Sequence, residues 1–181
     1  MRIRDGWLEG ARRCPSPHQD ERRDPADISL LVIHGISLPP GELGGPWIDD
    51  LFAGRLDPAA HPYFAGIAHL RVSAHLLIRR DGEVVQYVPF HARAWHAGVS
   101  CFDGRAGCND FSIGIELEGA DDLPYADAQY AALAAVTPVL LAAYPRVRPD
   151  RIVGHSDVAP GRKTDPGPAF DWARYRSALG R

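Results

Sequence analysis

Ile28-Ser29-Leu30-Leu31-Val32-Ile33-His34 is a nearly unbroken apolar run of strand length, closed by an imidazole and followed by Gly35. A run without polar alternation reads as a strand buried on both faces, as in a sheet covered by helices. It predicts a central strand with His34 at its mouth. A second segment, Phe111-Ser112-Ile113-Gly114-Ile115-Glu116-Leu117-Glu118, alternates with period two. Ile113, Ile115 and Leu117 share one face; Ser112, Gly114, Glu116 and Glu118 share the other. Between them, Ala74–Ile78 and Val84–Val88 flank Arg80-Asp81-Gly82-Glu83. Asp-Gly between apolar runs predicts a hairpin.

Further along, Tyr130, Leu133, Val136, Thr137, Leu140 and Tyr144 recur at helical spacing, so Ala126 to Tyr144 reads as an amphipathic helix. Pro138 inside it predicts a kink, or an end to a first segment near Thr137. Arg151-Ile152-Val153-Gly154-His155 reads as a final strand, and Asp171 as the cap of a short helix through Leu179. The expected fold is α/β: a mixed sheet flanked by helices, in a single domain. Residues 1–27, charged and Pro-rich, read as an arm laid over the surface with Trp7 and Leu8 as anchors, and residues 28–181 as the domain proper. Residues 37–66 form a long irregular excursion with a short helix near Trp47 to Phe52; a loop of this length in a compact domain is usually functional.

Composition narrows the function classes. Twenty basic residues against 23 acidic ones give a formal charge of −3, with the two signs interspersed. That argues against a nucleic-acid partner, whose footprint would be a basic stripe. No stretch approaches the roughly 20 apolar residues that span a bilayer. The first residues lack the apolar core of a signal peptide, so a cytoplasmic protein without membrane contact is expected. Three cysteines, Cys14, Cys101 and Cys108, are too few and too scattered for a disulfide framework and are expected as free thiols.

The segment Gly154-His155-Ser156-Asp157-Val158-Ala159-Pro160-Gly161-Arg162-Lys163-Thr164-Asp165-Pro166-Gly167 gathers an imidazole, an ammonium and a carboxylate into one loop braced by glycine and proline. His34, His155 and a carboxylate would form a three-ligand zinc site with a fourth position open, the catalytic arrangement. Zinc brings the pKa of a water to about 7; Glu116 could then act as general base, and Lys163 could stabilise an oxyanion. The reaction class would be zinc-assisted hydrolysis of an amide. Each residue also has a plainer reading: His34 as a strand cap, Glu116 as a solvent-facing strand residue, Lys163 as a surface charge. His34 and His155 lie far apart in sequence, and spacing cannot bring them together.

The runs Leu31-Val32-Ile33-His34 with Ser37-Leu38-Pro39-Pro40-Gly41, Ala94-Trp95-His96-Ala97-Gly98, Ser112 to Gly119 and Gly154-His155 through Lys163-Thr164-Asp165-Pro166-Gly167 carry a resemblance. They resemble the zinc N-acetylmuramoyl-L-alanine amidases, which share a fold with peptidoglycan-recognition proteins, and in particular their 1,6-anhydromuropeptide branch of cell-wall recycling. The likeness extends from Trp7 to about Tyr175. It implies that His34, His155 and Asp165 hold one Zn2+, with Glu116 and Lys163 as catalytic residues. It also implies the bond cut, between the lactyl group of 1,6-anhydro-N-acetylmuramic acid and L-alanine of the stem peptide, in a small muropeptide handled by a monomer. Trp95, Arg71 and His96 are the expected substrate contacts, the first through its ring face and the second through a stem-peptide carboxylate. Two positions depart from the family pattern: Gly35, where the family carries Asn, and Gly107, where it carries Arg, although Arg105 is close by. A broader amidase acting on intact peptidoglycan and a non-catalytic peptidoglycan-recognition module are the competing readings. The complete set of ligands and helpers argues against the second.

Overall fold

The computed structural model describes residues 1–180. Its frame is a six-stranded mixed sheet made from β1 (Arg12–Arg13), β2 (Leu30–Ile36), β3 (Leu76–Ile78), β4 (Val84–Gln86), β5 (Ser112–Glu118) and β6 (Ile152–Gly154). The order across the sheet is β6-β2-β5-β3-β4-β1. β6, β2, β5 and β3 run parallel, β3 and β4 form the antiparallel hairpin, and β1 lies parallel to β4 at the edge. The helices are α1 (Trp47–Phe52), α2 (Asp127–Ala143), α3 (His155–Val158) and α4 (Trp172–Ala178).

The apolar run at the start of β2 is buried on both faces, as its lack of alternation predicts. Leu31 and Ile33 join Ile113, Ile115 and Leu117 in a core sealed by Leu133, Val136 and Leu140 of α2 and Tyr175 of α4. Leu30 and Val32 point the other way, toward Phe111 and Val158. Farther along that opposite face, α1 and Phe64 pack on Leu77, Val85 and Tyr87. Each fully buried Leu or Ile contributes roughly 1.5–3 kcal/mol relative to exposure. β5 keeps its alternation, but both of its faces are buried, so Glu116 is not a solvent-facing strand residue.

Two expectations are corrected. The helix does not end near Thr137: α2 continues through Pro138 to Ala143. Pro138 lies on the exposed side, where water can satisfy the carbonyl it leaves without a donor, so the cost is local and the apolar face still packs. The final strand stops at Gly154, and His155 is instead the first residue of the one-turn α3. Gly154 N–H donates to Asp157 Oδ2 at 2.7 Å, which turns the chain into that helix. Asp171 caps α4 as expected, accepting from Arg174 N–H at 2.8 Å.

Within residues 1–27, Leu8 is buried and Trp7 half-buried. Leu8 N–H donates to Gln86 Oε1 at 2.7 Å, and Gln86 Nε2 donates to Gly6 O at 2.9 Å. Arg22 is also buried, donating to Ser112 O (2.6 Å), Asn109 O (3.0 Å) and Asp110 O (3.1 Å). Desolvation lowers its guanidinium to about 10, and the carbonyls take its donors in place of water. Sequence reading gave no sign of this cation, because nothing in its neighbourhood marks it as internal.

Candidate active site

Three adjacent parallel strands end side by side, and that edge carries the site. His34 lies in β2, Glu116 stands opposite it in β5, and His155 follows β6. Clefts at the carboxyl ends of parallel strands are the usual ligand positions in α/β sheets. The loop after α3 returns Asp165 to the same place, held by Ser156 N–H donating to Asp165 O at 3.0 Å and by Tyr125 Oη donating to Pro166 O at 2.9 Å.

His34 Nδ1 lies 3.2 Å from Asp165 Oδ2, and His155 Nδ1 lies 3.0 Å from the same oxygen. The three ligand atoms fall within 4.8 Å of one another. Tetrahedral zinc with ligand distances of about 2.0 Å would separate its donors by roughly 3.3 Å. The set therefore has nearly the spacing of a preformed site, and its chemistry, two imidazoles and one carboxylate, suits zinc. Burial, reinforced by the charges of His155 and Lys163, pushes His34 down to about 4 despite Asp165, so at neutral pH it is the neutral imidazole that a metal requires. Burial alone would raise Asp165; its close contacts with the imidazoles of His155 and His34 outweigh it and hold the carboxyl well below the usual range.

Glu116 behaves in the opposite way. Burial first, and then the charge of Asp165, push its carboxyl well above the usual range, with Lys163 as the opposing influence. Among the described residues, its Oε2 is the one buried side-chain oxygen or nitrogen without a hydrogen-bond partner. A carboxyl kept buried, unpaired and easily protonated is disposed to exchange protons. Glu116, Lys163, Trp95 and His96 line one cleft with His155 and Asp165.

A family model described as N-acetylmuramoyl-L-alanine amidase matches residues 24–168. The chain belongs to the N-acetylmuramoyl-L-alanine amidase family. It is 68% identical over 179 residues to the 1,6-anhydro-N-acetylmuramyl-L-alanine amidase AmpD of Citrobacter freundii, covering 99% of this chain and 95% of that one. A crystal structure of a selenomethionine AmpD derivative superposes with a TM-score of 0.96 at 67% identity, covering 99% of each chain. A complex of the Escherichia coli amidase AmiD with anhydro-N-acetylmuramic acid-L-Ala-D-γ-Glu-L-Lys superposes with a TM-score of 0.62 at 29% identity, covering 95% of this chain and 60% of that one.

In this amidase, Trp95 is held from several sides. Its Nε1–H donates to Asp20 Oδ1 at 3.0 Å, its ring stacks with His18 at 6.1 Å between centroids, and the Arg71 guanidinium lies over it at 5.3 Å. Two of those partners belong to the first 27 residues, which the sequence reading had not connected with the cleft. His96, grouped with these residues as a substrate contact, lines the cleft and also turns its Nδ1 toward His34 Nε2, 2.9 Å away. Of the two departures, Gly35 has a packing reason: a Cβ there would collide with the Tyr125 hydroxyl. Gly107 adopts φ +74°, which favours glycine. Arg105 is engaged elsewhere, paired with Asp27 Oδ2 at 2.5 Å and lying over the Phe111 ring. Tyr125 was missed in the sequence; the signal available was a pair of glycines, Gly35 and Gly119, that leave room for its ring. Among the described residues no helix is long and apolar enough to cross a membrane, and all three cysteines are free.

Proposed function

We propose that this amidase hydrolyses the amide between the lactyl group of 1,6-anhydro-N-acetylmuramic acid and L-alanine of the stem peptide, with one zinc ion, in cytoplasmic muropeptide recycling. The observation that carries this reading is the convergence of His34, His155 and Asp165 beside a buried carboxyl with no partner. The likeness to relatives named for that reaction supports the substrate. His34, His155 and Asp165 would hold the zinc, which when bound supplies Lewis acidity and brings a water near pKa 7.

Glu116 takes a proton from the attacking water and returns it to the nitrogen of L-alanine as the C–N bond breaks, leaving a lactyl carboxylic acid whose proton then passes to the released amine. Its raised pKa suits both halves of that transfer. Lys163, in the same cleft, stabilises the negative charge that develops on the amide oxygen. Trp95 offers an apolar face to the sugar or lactyl group, and Arg71 offers a two-pronged donor to a stem-peptide carboxylate. The chain acts as a monomer, without nucleic-acid or membrane partners.

The test is incubation with an anhydromuramoyl-tripeptide, followed by mass spectrometry with and without a zinc chelator. Release of free tripeptide, abolished by chelation and restored by zinc, is the expected result. A folded, zinc-loaded protein that binds the muropeptide without cleaving it would instead favour a recognition module.

A further inference from the structure

We infer that His96 is a positioning residue for the metal: it fixes the tautomer and orientation of His34 through a directed chain that runs from His34 to His96 to Ser112. This rests on the reading of His34, His155 and Asp165 as the metal site. The Nδ1 atoms of both ligand histidines face Asp165, so a bound metal needs those nitrogens free and the ring protons on Nε2. His34 Nε2 lies 2.9 Å from His96 Nδ1, and His96 Nε2 lies 3.1 Å from Ser112 Oγ. Only one direction is compatible with metal binding. His34 Nε2–H donates to His96 Nδ1, and His96 Nε2–H donates to Ser112 Oγ. The reverse direction would put the His34 proton on Nδ1, where the metal belongs.

The surroundings hold His96 in that posture. Its ring lies against Gly114 of β5, where an added Cβ would come within 2.5 Å of Cγ and Nδ1. The backbone N–H groups of His96 and Ala97 both donate to Asn109 Oδ1, at 3.1 and 2.8 Å. Ala97 in turn uses its carbonyl, 3.2 Å from His155 Nε2, to accept from the second ligand histidine. Two consecutive residues thus provide the outer hydrogen-bond partner of both imidazoles, and Asn109 clamps the pair. Within the Trp-His-Ala-Gly motif, His96 and Ala97 thus back the two imidazoles, while Trp95 faces the cleft.

Zinc affinity, measured by competition with a chromophoric chelator, and the visible spectrum of the cobalt-substituted protein test this on the whole chain. Wild type should take up one metal ion. His96→Ala should remain folded by thermal melting, bind zinc about 10–100-fold more weakly, and show a shifted cobalt spectrum. His96→Asn, whose Oδ1 can stand in for Nδ1 as the acceptor, should recover most of the affinity and the spectrum. Ser112→Ala should show a smaller loss in the same direction. Wild-type affinity and spectrum in His96→Ala, or no recovery in His96→Asn relative to Ala, would overturn the assignment. If His96→Ala does not fold, wild-type affinity in Ser112→Ala overturns it. Failure of the wild type itself to bind zinc or cobalt would sink the metal-site reading and this inference with it.

Discussion

Glu116 and His34 are register partners on neighbouring parallel strands, so the buried carboxyl and the buried imidazole emerge from the same face of the sheet. The pairing sets their separation by backbone hydrogen bonding rather than by loop conformation. The group proposed to transfer protons is thereby held beside a proposed metal ligand with little freedom to drift.

That rigidity makes Glu116 separable from metal binding. Glu116→Gln should keep one zinc per chain while lowering the rate on anhydromuramoyl-tripeptide by about 10²–10⁴-fold, the range for loss of a general base. Zinc content and single-turnover rate measured on the same preparation check both halves. A normal rate would transfer the proton role to another group.

The same substitution should stabilise the zinc-free protein at neutral pH. The folded pKa of Glu116 lies well above its ordinary value of 4.5. Its contribution is therefore fully present below about pH 4.5 and lost as pH rises toward the folded pKa, at up to about 1.4 kcal/mol per pH unit. Urea unfolding of the chelated wild type and Glu116→Gln should coincide near pH 4.5 and diverge toward pH 7, the variant being the more stable. Parallel curves across that range would refute the prediction.

His34→Ala should lose both zinc and turnover. Two ligands hold an ion poorly in an open site, and chelation of the wild type should give the same inactive state, reversible on adding zinc. Activity retained by His34→Ala under chelator would remove His34 from the site.

Gly35 and Tyr125 should be energetically coupled. A side chain at Gly35 meets the Tyr125 hydroxyl, which donates to Pro166 O next to Asp165, the proposed ligand. Gly35→Ala should cost about 1–3 kcal/mol, as overpacking does, and should also weaken zinc binding by displacing the 165–166 turn. Adding Tyr125→Phe should restore part of the stability, because the colliding oxygen is gone. Chemical denaturation of the two single variants and the double variant gives the coupling; strict additivity would show that the two residues act independently.

Much of the fold can be read in the chain because local patterns carry it. The unbroken run into His34, the alternation from Ser112 to Glu118, Asp81-Gly82 and the spacing from Tyr130 to Leu140 each specify an element by periodicity or turn chemistry. Where local rules and packing compete, the sequence misleads: Pro138 does not end α2, because the apolar face around it still packs and the proline lies on the exposed side. The identities of the site residues were also legible, but only as candidates, since His34 and His155 are separated by more than a hundred positions. Adjacency came from the order β6-β2-β5, a long-range pairing that no local window contains. The tertiary structure alone decided that Glu116 is buried without a partner, that His96 stands behind His34, and that Tyr125 fills the space beside Gly35. Those properties belong to pairs of side chains brought together by packing, and a side chain's protonation, tautomer and clearance are set by its neighbours in space.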